Sequence, residues 1–236
     1  MSEASTHWVV VPAAGFGHRM GSETPKQYLP LAGRAVLAWT LEALLDHPRI
    51  AGVMLVVAND DARWRECLPA DAGERVRAVI GGRQRPDSVG AGLDELSGFL
   101  PPESWVLVHD AVRPCLHAKD LERLIVAATA DAVGGLLAAP SADTIKRIDA
   151  EQRVDATLER REVWRALTPQ MFKLGALREA YARARDADRV PTDEAAAIEA
   201  TGARPLLVVG RADNVKITQP EDLGFAEAVL RARGAL

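Results

Sequence analysis

The stretch 8-WVVVPAAGFGHRMGSETPKQY-28 decides the fold. An unbroken apolar run, Trp8 to Val11, gives way to small residues and glycines, and a proline precedes a lysine at its far end. A strand that is apolar on both faces belongs to a sheet covered on both sides, as parallel sheets are. Five more runs of this kind follow: 53-VMLVVA, 76-VRAVI, 104-SWVLVHD, 134-GGLLAAP and 206-LLVVG. Segments of helical period alternate with them near 35–46, 87–97, 119–130, 175–186, 193–201 and 221–232. The alternation predicts one α/β domain over residues 1–236 with a mostly parallel, twisted sheet. Asp87, Thr192-Asp193-Glu194 and Pro220-Glu221-Asp222 read as helix starts, with Asp193 and Glu194 as first-turn charges and nothing more.

One segment breaks the rhythm. Two alternating stretches, 144-TIKRI and 153-RVDATL, flank the polar turn 149-DAEQ. They predict a charged β-hairpin, an arm inserted over about 142–163. Its few apolar residues cannot form a core, so the arm is expected to pack on another body, a second subunit being one candidate, or else to stand as a solvated hairpin. The rest of the composition is bland. Over 236 residues the net charge is −4, and the pI near 5.8 gives no reason to expect nucleic-acid binding. Cys67 and Cys115 form no C-x-x-C pair and read as reduced thiols. No apolar run approaches the ~20 residues of a membrane span, and the first residues do not read as a signal peptide. A cytoplasmic protein with no membrane partner is expected.

The loop after the first strand excludes two common nucleotide motifs. Gly15 and Gly17 fit G-x-G-x-x-G, but Met20 holds the third glycine's place. Met20 also holds the second glycine's place in G-x-x-x-x-G-K-[ST]. The loop is of a third kind, followed by Arg19 and Lys26, with Pro25 limiting where the Lys26 ammonium points. Two fixed cations beside backbone N–H groups suit a triphosphate. The five histidines, His7, His18, His47, His109 and His117, show no metal-ligand spacing such as H-E-x-x-H. No metal-binding residue is predicted.

The pattern P-A-A-G-x-G-x-R-M followed by P-K-Q-Y resembles the cytidylyltransferases that act on sugar-alcohol phosphates. Further segments match in order: 81-GGRQRPDSV, 107-LVHDAVRP, 138-AAPSADTIKR, 164-WRALTPQ and 210-GRADNVKIT. The resemblance spans about residues 7 to 232. It implies a single Rossmann-like nucleotidyltransferase domain whose β-arm interlocks two subunits in a homodimer. It also implies CTP and a polyol phosphate as substrates, 2-C-methyl-D-erythritol 4-phosphate first and D-ribitol 5-phosphate as the alternative. Carried over by position, Arg19, Lys26 and Lys216 stand at the reacting phosphorus. Pro12, Ala13, Ala14, Gly15, Gly17, Gly82, Ser88 and Asp110 stand at the nucleotide. Asp110, Arg113, Thr144, Arg160, Thr168 and Lys216 face the polyol phosphate, with Thr144 and Arg160 reaching into the neighbouring subunit. Three positions depart from the pattern: His18, Arg83 beside the base, and Val112 beside the substrate edge.

The chemistry needs these residue types. A phosphate monoester's second pKa is near 6, so the nucleophile is already an anion and no catalytic base is required. The obstacle is bringing that anion to a polyanion while charge builds on the departing pyrophosphate. Positioned cations answer it. Mg²⁺ is expected with the CTP, bound mainly through the nucleotide's phosphates. Two other classes stand beside this reading. A nucleotide-binding regulatory module would not need to keep all three cations, and an NAD-dependent oxidoreductase conflicts with Met20.

Overall fold

A computed structural model describes residues 7–15 and 24–236. Its strands are β1 (His7–Pro12), β2 (Pro30–Leu31), β3 (Arg34–Ala35), β4 (Ile50–Val57), β5 (Val76–Ile80), β6 (Trp105–Val108), β7 (Gly134–Pro140), β8 (Lys146–Ile148), β9 (Val154–Thr157), β10 (Trp164–Lys173) and β11 (Leu206–Val209). The helices are α1 (Val36–Leu45), α2 (Arg85–Leu96), α3 (Ala118–Ala130), α4 (Leu174–Asp186), α5 (Glu194–Glu199) and α6 (Glu221–Ala232). Seven strands form the central sheet in the order β11-β7-β10-β6-β1-β4-β5. All neighbours are parallel except the two pairs that β10 makes, with β7 and with β6.

Burial on both faces explains the continuous apolar runs of the inner strands, whereas the edge strands β5 and β11 leave Ile80, Leu206, Leu207 and Val209 exposed. Side chains alternate across a strand. In β1, Val9 and Val11 join one core while Val10 joins the other. In β4, Val53, Leu55 and Val57 face the first core, and Met54 and Val56 the second. The first core is closed by α1 and α3 through Leu37, Leu41, Leu44, Leu121, Leu124 and Ile125. The second is closed by α2, α4 and α5 through Val89, Leu93, Leu96, Leu177 and Ile198. Burying one such side chain fully stabilises the fold by about 1.5–3 kcal/mol. A smaller third cluster, including Leu31, Trp39, Ile217, Ala226 and Leu230, fastens α6 to the segment after Pro30.

The six strands expected from apolar runs are all present, and β10 is an addition to them. Residues 164–173 show neither clean alternation nor an unbroken apolar run, and Pro169 interrupts them. Pro169 falls where the β10–β7 register shifts between Ala166 and Gln170, the kind of position that tolerates a missing N–H. The hairpin of β8 and β9 forms the arm, and all of β8 is exposed. The arm closes at its base where the Ser141 N–H donates to the Val163 carbonyl at 3.0 Å. No helix among the described residues is long and apolar enough to cross a membrane.

Candidate active site

The chain leaves β1 for β4 and β5 on one side, then returns to lay β6 on the other. Such a reversal opens a crevice beyond the carboxyl ends of the strands. A cleft with about 820 Å³ of open space lies there. Its walls are Pro12 to Gly15 after β1, Gly82 to Arg85 and Ser88 after β5, and Asp110 to Val112 after β6. Lys26, Gln27 and Lys216 to Thr218 complete it. Four cations, Lys26, Arg83, Arg85 and Lys216, face a single carboxylate, Asp110, among these described residues.

Close backbone approach shapes the nucleotide side. The Ala13 N–H donates to the Val56 carbonyl at 2.7 Å, and the buried Gln27 amide donates to the Ala13 carbonyl at 2.7 Å. A Cβ on Gly82 would stand 2.3 Å from the Asp87 Cβ, so a side chain there would push α2 out of place. Gln84, not Asp87, is the residue that opens α2. Asp87 sits three residues on and its carboxylate accepts from the Gln84 N–H at 3.0 Å, completing a capping box. Ser88 Oγ donates to the Gln84 carbonyl at 3.2 Å.

Asp110, only 6% exposed, is the electrostatic centre. Its Oδ2 meets Lys216 Nζ at 3.0 Å and Arg113 Nε at 3.2 Å, and its Oδ1 meets Arg85 Nε at 3.3 Å. Burial alone would raise its pKa. The cations of Arg85, Lys216 and Arg113 outweigh that and hold the carboxyl well below its ordinary range. Lys26 is anchored from α6's side of the cleft. Its Nζ donates to the Thr218 carbonyl at 2.9 Å. The Asp222 carboxylate accepts from the Thr218 N–H, the Thr218 hydroxyl and the Gln219 N–H at 2.7, 2.8 and 2.8 Å, which fixes the loop carrying both Lys216 and Thr218.

A second layer lies beneath. The Asp110 N–H donates to Thr168 Oγ1 at 3.1 Å, and the same hydroxyl is 2.9 Å from His109 Nδ1. His109 Nε2 lies 3.2 Å from the Arg113 carbonyl. Burial pushes the His109 pKa down to about 4, so its ring is neutral at physiological pH. Arg113 Nη1 donates to the Asn214 carbonyl at 2.7 Å, and Asn214 Nδ2 donates to the Thr168 carbonyl at 2.7 Å.

The structure gathers Pro12, Ala13, Ala14, Gly15, Lys26, Gly82, Ser88, Asp110 and Lys216 around one cleft. Arg113 touches the cleft's carboxylate but spends a further donor on Asn214. Thr168 stands behind Asp110, not on the cleft wall. Thr144 and Arg160 lie on the arm, and Arg160 Nη1 donates to the Ala142 carbonyl at 3.2 Å. Arg83 and Val112 both line the cleft. Gly17, His18 and Arg19 lie outside the described residues.

Glu194 corrects an expectation. It is not a solvated first-turn charge: it is 0% exposed, and both its oxygens are taken by Arg85, at 2.8 and 3.2 Å. Tyr181 donates to it at 2.9 Å. Asp193, in contrast, does cap α5, accepting from the Ala196 N–H at 2.8 Å. Arg85, His109, Asn214 and Gln27 stand inside the matching sequence segments, yet the resemblance assigns them no role. Arg85 carries one signal: a cation at the first position of a helix opposes the helix dipole and needs an anionic partner.

Mg²⁺ finds no ready-made protein cage among the described residues. No group of three or more His, Cys, Asp or Glu that could hold a metal occurs among them, and the Asp110 carboxylate on the cleft wall is committed to three cations. An ion that arrives on substrate phosphates needs no such cage.

Residues 7–232 match the family described as 2-C-methyl-D-erythritol 4-phosphate cytidylyltransferase. The protein of that name from Ectopseudomonas mendocina (strain ymp) is 51% identical over 219 residues, 92% of this chain and 93% of its own length. Its counterpart from Pseudomonas aeruginosa (strain UCBPP-PA14) is 50% identical over 223 residues, 94% and 95% of the two chains. Among solved structures, a 4-diphosphocytidyl-2C-methyl-D-erythritol synthase superposes with a TM-score of 0.81 at 35% identity, covering 96% of this chain and 99% of that one. The 2-C-methyl-D-erythritol 4-phosphate cytidylyltransferase of Francisella tularensis superposes at 0.81 with 31% identity, covering 96% and 100%.

Proposed function

The chain belongs to the 2-C-methyl-D-erythritol 4-phosphate cytidylyltransferase family, and from that premise we propose how its residues divide the work. The reaction joins CTP and 2-C-methyl-D-erythritol 4-phosphate, giving 4-diphosphocytidyl-2-C-methyl-D-erythritol and pyrophosphate in non-mevalonate isoprenoid synthesis. A phosphate oxygen of the acceptor forms a bond to the α-phosphorus of CTP, and the bond from that phosphorus to the bridging oxygen of pyrophosphate breaks. The observation that carries the assignment of roles is the convergence of Lys26, Arg85 and Lys216 on one cleft, with no histidine among the described residues of its wall. That arrangement suits a nucleophile that arrives as an anion. It needs charge stabilisation and no base.

Lys26 and Lys216 act as point charges, on the triphosphate and at the meeting of nucleophile and phosphorus respectively. Arg19 adds a planar fork for two oxygens. The backbone of Ala13 to Gly15 borders the triphosphate, Gly82 and Ser88 border the base, and Asp110 meets the ribose. Mg²⁺, held mainly by the CTP phosphates and not by a cage of protein side chains, would supply further charge neutralisation there. The acceptor's phosphate is gripped by Arg160, with Thr144 beside it, from the arm of a second copy in a homodimer. Arg160 is exposed and is not among the residues lining its own cleft, and the arm shows Ile148 and Val154 to solvent, 55% and 62% exposed. Free thiols at Cys67 and Cys115 agree with a cytoplasmic protein.

The test is pyrophosphate release from purified protein with CTP and Mg²⁺. Release with 2-C-methyl-D-erythritol 4-phosphate and none with D-ribitol 5-phosphate is the expected result. Release with ribitol phosphate alone would overturn the acceptor.

A further inference from the structure

Arg85 stands on the cleft wall with a carboxylate on both sides. In front is Asp110, whose Oδ1 lies 3.3 Å from Arg85 Nε. Behind is Glu194, taken by both terminal nitrogens of the same guanidinium. Glu194 is wholly buried, and its third bond comes from the Tyr181 hydroxyl on α4. The fork is therefore fixed from behind, and its Nε edge is presented to the cleft. Asp110 in turn holds the Lys216 ammonium at 3.0 Å. An alternating chain runs from Tyr181 through Glu194, Arg85 and Asp110 to Lys216.

We propose that Glu194, braced by Tyr181, is a positioning residue for the transfer reaction: it holds Arg85 so that Asp110, and through it Lys216, stays aimed into the cleft. The inference rests on the reading of Lys216 given under Proposed function. Its physical ground is competition. A guanidinium freed from Glu194 takes Asp110 through both terminal nitrogens, because paired geometry is its strongest mode. Asp110 then turns toward α2 and lets go of Lys216. A buried charge left without its partner also costs stability, so the test must read fold and activity separately.

The experiment is a double-mutant cycle on the purified full-length chain with Glu194→Gln, Arg85→Met and the pair. Pyrophosphate release gives kcat/KM, calorimetry gives the CTP affinity and thermal melting reports the fold. Glu194→Gln is expected to lower kcat/KM on the order of tenfold, and the pair to be no worse than Arg85→Met alone, because Glu194 acts through Arg85. Tyr181→Phe removes one bond and keeps the ion pair. It should lower kcat/KM about threefold with little change in melting, which serves if Glu194→Gln unfolds. Wild-type kcat/KM in both Glu194→Gln and Tyr181→Phe would overturn the inference. So would a pair whose loss equals the product of the two single losses. Failure of the wild-type chain to release pyrophosphate would sink the proposed function instead, and the same cycle would then be decided on CTP affinity.

Discussion

The lattice under the cleft and the arm are both rich in charge, and they use it in opposite ways. Beneath the cleft, Asp110, Arg113, His109, Thr168 and Asn214 are all less than 9% exposed, and each has a named partner. On the arm, Arg147 pairs with Asp155 at 2.6 Å and Lys146 donates to Thr157 at 2.7 Å, in full view of water. A buried charge is expensive unless its partners are in place, so the lattice has one arrangement. A solvated pair is cheap to make and cheap to lose. The difference teaches where precision is kept: in the body beneath the cleft, and not on the exposed arm.

The sharpest way to break the comparison is Lys216→Ala. Lys216 is half-exposed and Asp110 keeps Arg85 and Arg113 without it, so the fold should lose stability only modestly, yet kcat/KM for pyrophosphate release is expected to fall by about 10²–10³, the usual effect of removing a transition-state donor. A fall in melting temperature without that loss would move Lys216 out of the chemistry.

The next effect is on stability. With an ordinary pKa of 6.5 and a folded value of about 4, His109 takes up a proton in the unfolded chain before it does in the folded one. Stability is therefore level above pH 6.5, falls as pH drops toward 4, and levels again below it, by about 3 kcal/mol in all. His7 and His47, also lowered by burial, add to the same slope. Denaturant midpoints across this range should show the slope, and His109→Asn should flatten part of it. Asp110 acts in a separate window, costing stability only below its ordinary carboxylate range. An unchanged slope in His109→Asn would mean that the ring is hydrated in the folded protein.

The arm gives a smaller effect with a distinctive pattern. Arg160→Ala should raise KM for the polyol phosphate roughly 10- to 100-fold with CTP affinity unchanged, the worth of a charge-assisted hydrogen bond. In the homodimer proposed above, mixing and re-equilibrating it with Lys216→Ala should recover about a quarter of the wild-type rate, because half the dimers would pair one intact body with one intact arm. No recovery on mixing would show that the arm serves its own chain. The smallest effect is that of Arg147→Ala, expected to change unfolding stability by less than about 1 kcal/mol.

The inner strands were legible because burial on both faces leaves unbroken apolar runs, and much of the cleft's rim because Pro12 to Gly15, Gly82 to Arg85 and Asp110 to Val112 come soon after strands. The antiparallel β10 was hidden by Pro169 and by its mixed pattern, although its residues carry one of the motifs. The lattice was hidden for another reason. Arg85 and Glu194 are 109 positions apart, and each looks like an ordinary charge on its own helix. Nothing local marks Glu194 as buried. Only the docking of α5 beside α4 and α2 puts a wholly enclosed carboxylate opposite a guanidinium.

The arm leaves the body after β7 and returns into β10, and these two strands are already neighbours in the sheet. Its two ends are joined by the bond from Ser141 to Val163, next to the paired residues Pro140 and Trp164. The insertion therefore has the geometry of a detachable module: its two ends meet where a short turn would serve the sheet equally well. Lengthening, trimming or exchanging the hairpin leaves the scaffold's chain path untouched. Natural variation and protein engineering alike can alter the arm there without disturbing the sheet.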